Sequence, residues 1–158
     1  MTLTGLIALA IAIVISELAG ALGSLVTLRA IPAWYAGLRK PPGTPPNGVF
    51  GPVWTTLYLL MGISAFLVWQ ADWARSDVQF ALMIFGMQLI LNVLWSFVFF
   101  GWRRPFAACA VIIVLWFAIA GTLVAFLNIS AVAGCLLIPY LLWVTFATYL
   151  NLGIAFLN

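Results

Sequence analysis

The sequence predicts an all-α integral membrane protein, a single bundle of five transmembrane helices spanning residues 1–158. Three observations carry this reading. Apolar residues make up 66% of the chain and charged residues 6%, against about 25% charged in soluble domains. Long apolar runs follow one another with only short polar punctuation, each near the ~20 residues that a bilayer core demands. The runs lack period-two alternation, so the backbone satisfaction that lipid requires comes from helices and not from a closed barrel.

Taken in order, the runs are 3–28, 49–71, 78–101, 105–127 and 130–156. The first has no Lys or Arg ahead of it and is longer than a signal-peptide core, so it reads as a helix kept in the mature chain. Small residues recur along it at Ala8, Ala12, Ser16, Gly20 and Ser24, a ridge that lets another helix approach closely. Glu17 is the only acid inside a predicted span. At helical spacing it projects with Ala10, Ile13, Gly20 and Ser24, which turns it toward protein. A charged carboxylate at mid-bilayer costs about 2.5–3.5 kcal/mol on insertion scales. It is therefore either held neutral or hydrogen-bonded in the bundle, or it serves a proton-coupled substrate site.

Residues 29–48 form a loop longer than most helix connections. The stretch from Trp34 to Trp54 holds five of the eight prolines, Pro41, Pro42, Pro45, Pro46 and Pro52. Proline fixes φ and removes a donor, so this loop is either a stiff lid or a rigid spacer. Arg39 and Lys40 give it positive charge.

The second helix presents Trp54, Tyr58 and Met61 at i, i+4 and i+7. The third presents Gln88, Asn92, Trp95, Ser96 and Phe99 on one face. Amides are expensive in hydrocarbon, so that face points inward, either to bond neighbouring helices or to line a cavity. The fifth presents Tyr140, Trp143, Ala147 and Asn151, with Pro139 a residue before them as a source of a kink. Trp34, Trp69, Trp73 and Trp102 flank spans as interfacial belt residues, and Trp116 reads as packing. Cys109 and Cys135 fall inside spans and read as small apolar side chains.

Loop charge gives a sidedness. Arg29, Arg39, Lys40, Arg103 and Arg104 share one side with the C-terminus, and Arg75 faces them across the membrane beside Asp72 and Asp77. The positive-inside rule then places the N-terminus outside, and the first loop and C-terminus in the cytoplasm. Six scattered basic residues make no phosphate-tracking stripe, so no nucleic-acid partner is expected. The chain contains no His, which removes His-ligated haem and His-based acid–base chemistry. No metal site and no resident cofactor are expected.

The segments "WYAGLRKPPGTPP" with "VFGPVWTTLY", "QLILNVLWSFVFFG" (88–101) and "LIPYLLWVTFATYLN" (137–151) together resemble the tryptophan-rich sensory protein/translocator protein family. The resemblance implies a five-helix bundle, a homodimer, and a pocket beneath the first loop. It implies porphyrin ligands such as protoporphyrin IX, together with isoquinoline and benzodiazepine types. The pocket positions it carries over are Tyr35, Trp54, Tyr58, Asn92, Trp95, Trp143 and Ala147. It therefore implies a membrane receptor or sensor that also escorts such ligands across the bilayer. Light-dependent porphyrin breakdown using Trp54 and Trp143 is the enzymatic alternative, and a small proton-coupled exporter built on Glu17 is a third. A bacterial cell membrane is the expected location. Two departures stand out: Gly43 and Gly48 replace aromatics frequent in the family. The segment "LNLGIAFLN" also lacks the Tyr and basic residue of the animal cholesterol motif.

Overall fold

The computed structural model describes residues 2–158. Five helices are long and apolar enough to cross a membrane: α1 Leu3–Ala33, α2 Asn47–Trp69, α3 Ser76–Gly101, α4 Pro105–Ile129 and α5 Ala131–Leu157. Their neighbours set a closed ring in the order α1, α2, α5, α4, α3 and back to α1. The antiparallel order gathers Arg29, Arg39, Lys40, Arg103 and Arg104 at one end of the bundle and leaves Arg75 at the other.

The helix ends differ from the sequence-based boundaries by a few residues, and the largest difference is at α1. Expected to end at residue 28, it continues through Pro32 to Ala33, closed by Trp34 N–H donating to the Ala30 carbonyl at 2.9 Å. A proline there removes only one bond from the last turn. The lid is correspondingly shorter. Its first residues, Tyr35–Gly37, form a single 3-10 turn before the prolines.

The small-residue ridge on α1 is used for packing inside this chain. Ser16 is fully buried and donates to the Ala12 carbonyl. A Cβ placed on Gly62 of α2 would sit 2.6 Å from Ile13 Cα and 3.0 Å from the Ala12 oxygen, and one on Gly20 would strike the Tyr58 ring. The α1–α2 crossing therefore depends on close backbone approach, as expected where lipid supplies no hydrophobic drive between helices.

Two local distortions position the inner faces. The last turn of α3, Phe97–Gly101, is widened, with Trp102 N–H reaching back five residues to the Phe97 carbonyl at 2.8 Å. Phe99 and Phe100 then sit edge to face, 4.7 Å apart. In α5 the helix breaks between Leu136 and Ile138, just ahead of Pro139. Leu137 N–H turns to the Gly134 carbonyl, and the Ala133 carbonyl this leaves free accepts from Ser64 Oγ of α2 at 2.6 Å. The kink is thus anchored by a buried interhelical bond.

At the other end, Arg75 and Asp77 form the one ion pair among the described residues, at 2.6 Å, with about half of each side chain exposed. Trp69, Trp73 and Trp102 lie exposed at helix ends, as belt residues should. Trp34 is half-buried, packed edge-on against Phe99 at 5.6 Å. Trp116, read from sequence as packing only, also donates from Nε1 to Thr145 Oγ1 at 2.7 Å across α4 and α5. Cys109 and Cys135 are free thiols.

Candidate functional site

Helices α1, α2, α3 and α5 diverge under the lid and leave a cavity of about 640 Å³, within the range of small-molecule sites. Six of the seven expected pocket residues line it: Tyr35, Trp54, Tyr58, Trp95, Trp143 and Ala147. Apart from Glu17, the α1 wall is made of small and aliphatic residues, and the facing walls on α2, α3 and α5 carry the aromatic rings. Trp54 stacks on Tyr58 with ring centroids 5.6 Å apart, lies 6.4 Å from Trp95, and meets Tyr140 edge-on at 6.3 Å. Trp95 continues the array through a stacked contact with Phe99 at 5.6 Å.

The roof is Tyr35. It is buried, with Phe50, Phe99 and Phe100 arranged around its ring. Burial raises its phenol pKa, so the ring stays neutral. Lys40 Nζ lies 4.8 Å from the Tyr35 ring centroid, a cation over an aromatic face, and caps the Ala36 and Leu38 carbonyls. Gly43 adopts φ +80° at the turn between the proline pairs, where a side chain would be strained. The loop takes a turn here that only glycine adopts freely.

Asn92, the seventh expected residue, lies behind the wall. Its Oδ1 accepts from Tyr58 Oη at 2.7 Å and its Nδ2 donates to Tyr140 Oη at 2.8 Å. Tyr140 Oη donates in turn to Gln88 Oε1 at 2.8 Å. The amide stripe of α3 is thus consumed in one continuous chain joining α2, α3 and α5, and of the two phenols it engages only Tyr58 lines the cavity. Asn151 plays a similar part: Oδ1 accepts from Trp95 Nε1 at 2.9 Å while Nδ2 donates to the Pro105 carbonyl. That bond fixes the plane of the Trp95 indole.

Trp143 differs from the other indoles. Its ring lies edge-on to Phe50 at 6.1 Å, and its Nε1 is buried with no hydrogen-bond partner. An unpaired buried donor costs about 1–3 kcal/mol. Glu17 lines the opposite end of the cavity from the lid, half-buried beside Gly20, Ala21 and Ser24.

Sequence reasoning missed Phe50 and Phe100 as cavity residues. Phe50 had a signal, since it sits four residues before Trp54 on the same helical face. Phe100 had none, because only the widened turn at the end of α3 brings it to the wall.

A model of the TspO/MBR family matches residues 10–157. The tryptophan-rich protein TspO of Chlorobaculum tepidum is 39% identical over 153 residues, covering 97% of each chain. The protein of the same name in Archaeoglobus fulgidus is 44% identical over 140 residues, covering 88% of this chain and 89% of its own. The human translocator protein is 42% identical over 119 residues, covering 75% of this chain and 70% of its own.

Proposed function

The chain belongs to the TspO/MBR family, and on that premise we propose that it is a membrane receptor for flat, hydrophobic, porphyrin-type ligands held beneath the lid. The observation that carries the reading is the indole array. Trp54, Trp95 and Trp143 border one cavity of about 640 Å³ with Tyr35 above it. A planar tetrapyrrole gains most from stacked and edge-on ring contacts, each worth about 0.5–1.5 kcal/mol beyond area burial.

Polar groups fit the periphery of such a ligand. The unpaired Trp143 Nε1 can donate to a carboxylate or carbonyl oxygen after a small rotation of the ring. Arg39 and Lys40 stand in the lid, where propionates would emerge. The lack of His in the chain favours a metal-free porphyrin over haem.

The test is a titration of the reconstituted protein with protoporphyrin IX, followed by tryptophan fluorescence. Saturable quenching in the wild type, with affinity lowered at least tenfold in Trp54→Ala/Trp143→Ala, is the expected result. Equal quenching in the double variant would remove the cavity from the reading. Both tryptophans named for light-dependent breakdown line this cavity, so the same complex under illumination tests the enzymatic alternative. A Soret band that bleaches no faster than free porphyrin leaves binding alone.

A further inference from the structure

Glu17 is the one cavity residue that an aromatic slot for neutral rings does not require. It lies near the middle of α1, about 21 Å from the helix start at 1.5 Å per residue, and it borders the cavity at the end away from the lid. It takes part in no ion pair among the described residues, where Arg75–Asp77 is the only one. No basic residue faces it from any element packed on α1. None of the cavity residues on α2, α3 or α5 is charged. All six basic residues lie in the connections or at helix ends, the nearest in sequence being Arg29. That residue is about 18 Å further along α1 by the same helical rise.

A carboxylate at this depth needs a partner, and the protein supplies none with a positive charge. What it does supply beside Glu17 is an aromatic wall. Tyr58 packs over Gly20, one turn from Glu17, and Trp54 stacks on Tyr58. An anion next to electron-rich ring faces is the arrangement that holds organic cations. Glu17 is the only charged residue lining the cavity, and the basic Arg39 and Lys40 stand in the lid outside that lining.

We propose that Glu17 is the recognition point for a protonated amine, so that the cavity also takes lipophilic aromatic amines, with the rings on Trp54 and Tyr58 and the ammonium on the Glu17 carboxylate. This rests on the cavity being the ligand site, and it adds a class of ligand to that site. Acidic ligands meet the lid and basic ligands meet the floor.

The experiment uses the full chain in nanodiscs of phosphatidylcholine and two probes, 1-(anthracen-9-ylmethyl)piperidine and its neutral isostere 9-(cyclohexylmethyl)anthracene. Energy transfer from tryptophan to anthracene reports occupancy. Comparing wild type with Glu17→Gln cancels the partitioning of each probe into lipid. The expected result is about a tenfold loss of amine affinity in Glu17→Gln, the order expected of a partly desolvated ion pair after its desolvation cost. Isostere affinity and melting temperature should stay unchanged, and Glu17→Asp should keep part of the preference. Equal amine affinity in wild type and Glu17→Gln overturns the proposal, as does an equal loss for both probes. If protoporphyrin IX binds saturably while neither anthracene probe does, the amine proposal falls and the receptor reading stands. If none of the three binds, both fall.

Discussion

The side-chain amide of Asn158 and the backbone of Arg39 exchange two hydrogen bonds, Arg39 N–H to Oδ1 and Nδ2 to the Arg39 carbonyl, each 3.0 Å. The residues are 119 positions apart, and the pairing imitates one rung of a β-ladder. It is one of three ties between the lid and the end of α5. Tyr149 Oη donates to the Pro42 carbonyl at 3.1 Å. Pro41 rests on Gly153, where an added Cβ would come within 2.6 Å of the proline Cγ. A segment rich in prolines has few N–H groups to offer, so its position is set by carbonyls and by ring packing.

These ties predict how the lid is released. A net hydrogen bond contributes about 1 kcal/mol, less where water competes, and removing the Asn158 and Tyr149 side-chain partners removes three. Asn158→Ala/Tyr149→Phe should speed amide hydrogen exchange at Arg39, Lys40, Gly43 and Thr44 roughly tenfold and raise the off-rate of a bound porphyrin. Exchange within α3 should not change. If the lid amides exchange at wild-type rates, the ties do not hold it.

Helix contact makes a prediction of a different kind. Gly62 brings α2 against the backbone of Ala12 and Ile13, and neither backbone can yield as a flexible side chain could. Gly62→Leu should cost about 1–3 kcal/mol by overpacking, seen as a lower melting temperature in detergent. Gly121, whose added Cβ would meet nothing within 4 Å, is the control, and Gly121→Leu should melt near the wild type. Equal melting of Gly62→Leu and wild type would mean the crossing is looser than its geometry implies.

The charge at the lid predicts selectivity between two forms of one ligand. Protoporphyrin IX and its dimethyl ester present the same rings, but only the first carries carboxylates. If those carboxylates emerge at the lid, Arg39→Ala/Lys40→Ala should weaken the acid several-fold and leave the ester alone. Because such exposed pairs are screened, the acid's advantage should also shrink as salt rises. An equal loss for both forms would point to the aliphatic stems and the Lys40–Tyr35 contact rather than to charge.

The order of helices was legible because lipid makes hydropathy a one-dimensional signal. An apolar run of about twenty residues has few other fates. The ring order was not, since nothing local to the sequence says that α5 closes against α2 and α4. The spacing of Trp54 and Tyr58 made an aromatic face legible, but that this face lines a pocket was implied only by the family resemblance. Residues acting through long-range pairing left no trace: neither Asn158 nor Tyr149 has a neighbour that announces the lid. Trp143 was read on an inward face and lines the cavity, but nothing in the sequence indicates that its buried Nε1 has no hydrogen-bond partner. Asn92 shows the limit most clearly. An amide on an inward face reads the same whether it points into space or into a neighbouring side chain.

That ambiguity at Asn92 can be settled by separating stability from binding. Both amide atoms are engaged by Tyr58 and Tyr140, and the side chain is buried, so Asn92→Leu removes two interhelical bonds and strands the Tyr58 hydroxyl, while Tyr140 keeps its bond to Gln88. Interhelical bonds in membranes average only about 0.6 kcal/mol, but the one stranded buried hydroxyl adds about 1–3 kcal/mol. The variant should therefore lose stability measurably, with a melting temperature several degrees lower. Its protoporphyrin affinity should fall no more than a few-fold, through loosening of the Tyr58 ring, against at least tenfold for the indole double variant. Asn92→Asp should recover part of the stability by keeping an acceptor for Tyr58. A large loss of affinity at unchanged melting temperature would instead place the amide against the ligand. The ring of Tyr58 would then have to swing aside on binding.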